Sequence, residues 1–160
     1  MHQWSVDRGH LFNTIMGIPE YYKQFGYEFA LDAWGGSTTS PELLDEAFGK
    51  DDVVSPFTVR DAEKSDAEFI ADTYANIRDR SFVSMNRNAD IVERELFSIH
   101  RNSAMYWQVR ILENEGRPVG YYMFGIGKDN KGIRVDALEI IGAANWLDAT
   151  KSMMIDLREM

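Results

Sequence analysis

The chain has 160 residues, 44% apolar, 12% aromatic and 27% charged, a composition that supports one ordinary domain with a real core and is unlike that of a disordered segment. Its 26 acidic against 17 basic residues give a formal charge of −9, which repels nucleic-acid phosphates and anionic lipid, and no basic patch interrupts it. With no cysteine, no run of ~20 apolar residues and no basic-then-apolar leader, disulfides, thiolate chemistry and Cys-ligated metal drop out, and the expectation is a cytoplasmic protein with no nucleic-acid or membrane partner.

In chain order, residues 11–31 predict a strand, a turn, a one-to-two-turn helix opened by Pro19 and stopped by Gly26, and a second strand. Tyr21 and Tyr22 sit side by side on that short helix, between two strand ends, where a polar group can be aimed into a cleft. With the polar stretch ending at Gly9-His10, this makes a first unit over residues 1–34. Residues 35–56 read as a linker, rich in glycine and hydroxyls, holding one short helix. Ser40 is its N-cap, Pro41 its first position and Gly49 its stop.

A second unit occupies residues 57–160. Phe57-Thr58-Val59-Arg60 suggests a short strand, and Ser65-Asp66-Ala67-Glu68 has the form of a capping box. It opens a helix on which Phe69, Ile70, Tyr74 and Ile77 recur at helical spacing. A second helix is expected from Ala89 to His100, capped by Asn88. Three strands follow, Tyr106 to Glu113, Val119 to Ile126 and Ile133 to Ile141, with turns at 114–118 and 127–132. Such close spacing most simply makes an antiparallel meander. A last amphipathic helix from Trp146 is expected to bury Leu147, Met153, Met154, Leu157 and Met160.

The run Gly17-Ile18-Pro19-Glu20-Tyr21-Tyr22-Lys23-Gln24-Phe25-Gly26-Tyr27 resembles the C-terminal part of the GNAT acyltransferases, where a G-x-P-x-Y-Y-x-x-F-G-F/Y pattern carries a tyrosine acid. Phe57 to Ala62 followed by Asp66 resembles the opening strand of the same family, and the element order of 57–160 is that of its first two thirds. The chain thus gives the end of one such domain and then the beginning of another, the order found in the middle of a tandem GNAT protein. A last helix running out at Met160 without a glycine or proline stop fits that expectation.

The resemblance implies an α+β fold, a mostly antiparallel mixed sheet flanked by helices, either incomplete or permuted by docking of residues 11–31 beside Val135–Ile141 or by strand exchange in a homodimer. It implies acetyl transfer from acetyl-CoA to a small-molecule or peptide amine, with no metal. Tyr22 falls at the position of the acid that protonates the departing thiolate, and Tyr21 at its aromatic neighbour; aromatic packing competes with both roles. The family's pyrophosphate loop, R/Q-x-x-G-x-G/A, has no counterpart after Val135–Ile141. Gly142-Ala143-Ala144-Asn145-Trp146-Leu147-Asp148 stands there instead, with bulk and negative charge where a phosphate would sit. A non-catalytic GNAT-like module and a ligand-binding domain without turnover therefore stand beside the enzyme reading.

Other chemistries find less support. His2, His10 and His100 share no ligand spacing, and Ser84, Ser98 and Ser103 lie in no nucleophile-elbow context. Glu139 on its strand suits a general base, although a solvated or salt-bridged carboxylate is the commoner case. Asp45-Glu46 and Asp51-Asp52 read as linker solvation, and Trp4, Trp34, Trp107 and Trp146 share no evident function.

Overall fold

Tyr121, Tyr122, Met123 and Phe124 are four consecutive buried residues, and a strand can bury both faces at once only when helices cover each side of its sheet. A computed structural model of the chain describes residues 2–18, 20–30, 35–49, 54–103, 106–127, 132–142 and 144–160. It divides into two units, residues 1–35 and 36–160.

In the second unit the strands are β1 (Ser37–Thr39), β2 (Thr58–Asp61), β3 (Gln108–Asn114), β4 (Arg117–Ile126) and β5 (Ile133–Ile140), and the order across the sheet is β1-β5-β4-β3-β2. Every pairing is antiparallel, so the sheet is not mixed. The architecture is α+β, a five-stranded antiparallel sheet flanked by helices. On one face Ile111, Tyr121 and Met123 meet α3 (Ala67–Ala75) and α4 (Ala89–Val92), the latter continuing as a π turn over Glu93–Phe97. On the other face Leu112, Tyr122 and Phe124 meet α2 (Pro41–Phe48) and α5 (Trp146–Arg158). Each fully buried aromatic or aliphatic side chain contributes roughly 1.5–3 kcal/mol.

Local chemistry accounts for most element ends. Ser40 Oγ accepts from the Leu43 N–H at 3.4 Å and Asn88 Oδ1 from the Ile91 N–H at 2.9 Å, both at the expected caps. The β3–β4 hairpin turns on two residues, Glu115 (φ 51°) and Gly116 (φ 73°), as a type I′ turn requires. On α5 the buried stripe is Ala149, Met153 and Leu157, four residues apart, so Leu147 (75% exposed) and Met160 lie off it, contrary to expectation. The start of α3 also differs from the expected Ser65–Glu68 box. A 3₁₀ turn over Lys64–Asp66 precedes the helix, and Asp66 Oδ2 accepts from the Glu63 N–H at 2.8 Å. Arg60 grips Asp66, which moves the cap two residues upstream.

Residues 35–56, expected as a linker, supply β1 and α2 to the second unit. β1 pairs with Ile133–Val135 on the outer edge of β5. Gly36 makes this approach feasible: it has φ 91°, and a Cβ there would stand 2.4 Å from the Val135 carbonyl oxygen.

In the first unit, α1 (His2–Asp7) leads and a 3₁₀ turn spans Tyr21–Phe25, closed by Gly26 at φ 83°. The two expected flanking strands do not form over the described parts of 11–31. A strand needs a neighbour to take its N–H and C=O groups, and among the described residues none pairs there. Leu11, Phe12, Met16, Ile18 and Phe29 stay exposed. Pro19, Leu31, Trp34, Asp51, Asp52, residues 128–131 of the second meander turn, and Ala143 lie outside the described residues.

Candidate functional site

Tyr22 lies half-buried on the 3₁₀ turn of the first unit. Its ring crosses directly over Gly17, where a Cβ would fall 2.0 Å from Cε2, so the glycine is what lets the ring lie there. Tyr21 and Tyr27 flank it edge-on at 5.1 and 6.1 Å between ring centroids, and Tyr27 in turn meets His2 at 5.3 Å. The packing role expected of these aromatics is therefore present, and at Tyr22 it coexists with partial exposure of the ring.

In the second unit the buried face of β5 carries Glu139, whose side chain is 11% exposed and forms an ion pair with Arg80. Arg80 follows a 3₁₀ turn over Asn76–Asp79 and stacks its guanidinium 5.3 Å from the Trp146 ring. Directly across the ladder from Glu139 stands Tyr121 on β4. Burial pushes the Glu139 carboxyl above its ordinary value, and Arg80 opposes that shift. Burial first, and then the Glu139 charge, push the Tyr121 phenol up, so it keeps its proton throughout the physiological range. Arg87 lies over the Tyr74 ring at 4.7 Å and pairs with Glu95 at 3.1 Å, completing a polar wall under α3 and α4.

Sequence reasoning named Glu139 but missed Arg80, Arg87 and Tyr121. Strand alternation was the available signal for Tyr121, because adjacent Tyr121 and Tyr122 must face opposite sides. Tyr122 faces α5, where its hydroxyl donates to Asp156, and Arg110 reaches Asp61 at 3.1 Å.

The start of α5 bears on phosphate binding. Asn145 Oδ1 accepts from the Leu147 N–H at 2.8 Å, Trp146 is exposed beside it and Asp148 lies in the first turn. One of the helix's free amides is thus satisfied by a side chain, with a carboxylate in place of the positive character an anion requires. This terminus does not fit a pyrophosphate.

The histidines are each engaged locally. His2 contacts the Tyr27 hydroxyl at 3.1 Å, His10 lies edge-on to Trp4, and His100 Nδ1 accepts from the Asn102 N–H. No group of three or more His, Asp or Glu suited to a metal ion occurs among the described residues. No helix among them is long and apolar enough to cross a membrane. Each described tryptophan carries an arginine: Arg8 over Trp4, Arg134 over Trp107 and Arg80 over Trp146.

A cleft of about 440 Å³ opens where β3 begins, bounded by Asp61 at the end of β2, by Ala62 after it, and by Leu96 and Phe97 at the end of the π turn. It lies at the end of the sheet opposite Gly142 and the start of α5.

Against known proteins, no family model matches the chain and no curated protein matches it.

Proposed function

We propose that the chain is part of a GNAT-type N-acetyltransferase, which moves an acetyl group from acetyl-CoA to an amine, with Tyr22 as general acid in the first unit and residues 36–160 as a GNAT-like module. The observation that carries this reading is the order β2, α3, α4, β3, β4, β5, α5. Its strands make an antiparallel meander, with α3 and α4 on one face and α5 on the other. The pairing of Arg60 with Asp66 adds support, since these are the polar positions of the motif that resembles the family's opening strand.

The capped start of α5 favours a second reading, in which this module is non-catalytic. Asn145 and Asp148 stand where an acetyl-CoA pyrophosphate would need free amides. Calorimetry with acetyl-CoA separates the two readings. Saturable heat at about 100 µM ligand supports autonomous acetyl transfer, and its absence leaves the module. If the chain turns over, Tyr22→Phe lowers the rate about 100-fold with affinity nearly unchanged. An unaltered rate would remove Tyr22 from the mechanism.

A further inference from the structure

We propose that residues 80–88 form a strap latched at one end: the Arg80–Glu139 pair holds it against β5, and a proton on Glu139 releases that end while the Arg87 end stays fixed. The two ends are built differently. At the far end the Arg87 side chain is 21% exposed, pairs with Glu95 of the π turn at 3.1 Å and lies over the Tyr74 ring, whose hydroxyl accepts from the Met85 N–H at 3.3 Å. Asn88 then caps α4. At the near end Arg80 is half-exposed, and its guanidinium has two partners among the described residues, Glu139 and the exposed Trp146 ring. Between the ends, residues 81–84 make no hydrogen bond to another described residue, and Phe82 and Val83 stand out in solvent. The ion pair is therefore what tethers this half of the strap.

The charge on Glu139 decides whether the latch holds. Its side chain is 11% exposed, so with the carboxylate ionised, opening would leave a buried charge without its cation. Once the carboxyl is protonated, Arg80 has no opposite charge to face, and its guanidinium passes into water with only a stacking contact to hold it. Arg80 faces Glu139 from the exit of α3 and Tyr121 faces it across the ladder from β4, while Tyr74 of α3 and the Arg87 charge act on the same Tyr121 phenol. Tyr121 keeps its proton and the arginines keep their charge, so Glu139 is the group at this end that titrates as the solution turns acid. The second carboxylate, Glu95, belongs to the Arg87 end, where the Tyr74 contacts persist without it. Burial brings the Glu139 titration above the ordinary 4.5, although Arg80 opposes the shift. Opening puts the Glu139 carboxyl in contact with solvent, so the strap gates the polar wall under α3 and α4.

The test is ¹⁵N relaxation on the full chain, read as backbone order parameters for residues 81–84 and 85–88, with the buried sheet residues Leu112 and Phe124 as internal reference. At about pH 7.5 the wild type keeps residues 81–84 above about 0.6, the limit of flexible backbone, and both Glu139→Gln and Arg80→Met drop them below it. Residues 85–88 and the reference stay unchanged in all three proteins. Taking the wild type to about pH 4 reproduces the drop, and Glu139→Gln, already released, does not respond. Residues 81–84 below about 0.6 in the wild type at neutral pH, or above it in either variant, overturn the proposal. Loosening of residues 85–88 removes the fixed end, loosening of Leu112 and Phe124 makes the effect a general loss of structure, and an acid response that survives in Glu139→Gln assigns the switch to another group; each overturns it as well.

Discussion

Arg60 holds Asp66 through two of its nitrogens, Nη1 to Oδ2 at 2.7 Å and Nη2 to Oδ1 at 2.8 Å, and so ties the end of β2 to the turn that opens α3. The Arg60 hydrogen bonds hold the Asp66 carboxyl below its ordinary value despite its burial. A carboxylate with a depressed pKa stabilises the fold above its unfolded value of about 4, and that contribution is lost as pH falls through the lower folded value. Asp66→Ala is expected to cost about 2 kcal/mol at neutral pH by urea unfolding. The stability gap between wild type and Asp66→Asn narrows below about pH 4. A gap of constant size down to acid pH would show that the carboxylate charge is not what holds the turn.

Gly17 and Tyr22 predict a coupled effect in the first unit. Gly17→Ala sets a methyl group 2.0 Å from Cε2 of the tyrosine ring, far inside contact distance, so the ring must leave its place beside Tyr21 and Tyr27. The measurement is the set of Tyr22 ring-proton shifts, which should collapse toward solvent values in Gly17→Ala and persist in Gly35→Ala, since nothing lies within 4 Å of a Cβ there and its φ is not in the left-handed region. Persistence of the Tyr22 shifts in Gly17→Ala would contradict the stacked arrangement.

At the β3–β4 hairpin, Glu115 has φ 51° and Gly116 φ 73°. Asparagine tolerates the left-handed region better than glutamate, and Asn-Gly is the favoured type I′ pair. Glu115→Asn should therefore stabilise the second unit by about 0.5 kcal/mol, whereas Gly116→Val should destabilise it by more than that. Thermal unfolding of the two variants checks the sign, and a destabilised Glu115→Asn would refute the turn assignment.

What could be read from the sequence was local. Ser40, Pro41 and Gly49 mark α2 to the residue, Asn88 marks the start of α4, and the three meander strands lie within two residues of expectation at every end. Short-range chemistry governs those features. The pairing of Ser37–Thr39 with β5 was hidden because glycine and hydroxyl residues have weak strand propensity, and only the partner strand makes them one. The reverse error arose at 11–31, where apolar alternation looks like strands but no neighbouring strand pairs with the described residues. For the candidate site, Glu139 was visible as an acid on a strand, but its partner Arg80 lies 59 residues away and in a 3₁₀ exit that no periodicity marks.

Glu139 yields the sharpest pH prediction. Burial raises its pKa above the ordinary 4.5, so between that value and the folded one the native state binds more protons than the unfolded chain. Stability accordingly falls as pH rises through this window and levels off above it. Glu139→Gln removes this slope, because Arg80 is half-exposed and water can take over its charge. Arg80→Met acts in the opposite direction: losing the opposing cation lifts the carboxyl further and leaves an unpaired buried charge, costing about 1–2 kcal/mol at pH 8 and less at pH 5. The Arg80→Met/Glu139→Gln double variant recovers most of that loss, since it holds neither charge. Urea unfolding of the four proteins at both pH values reads these differences directly, and an Arg80→Met penalty that does not grow with pH would separate Arg80 from the ionisation of Glu139.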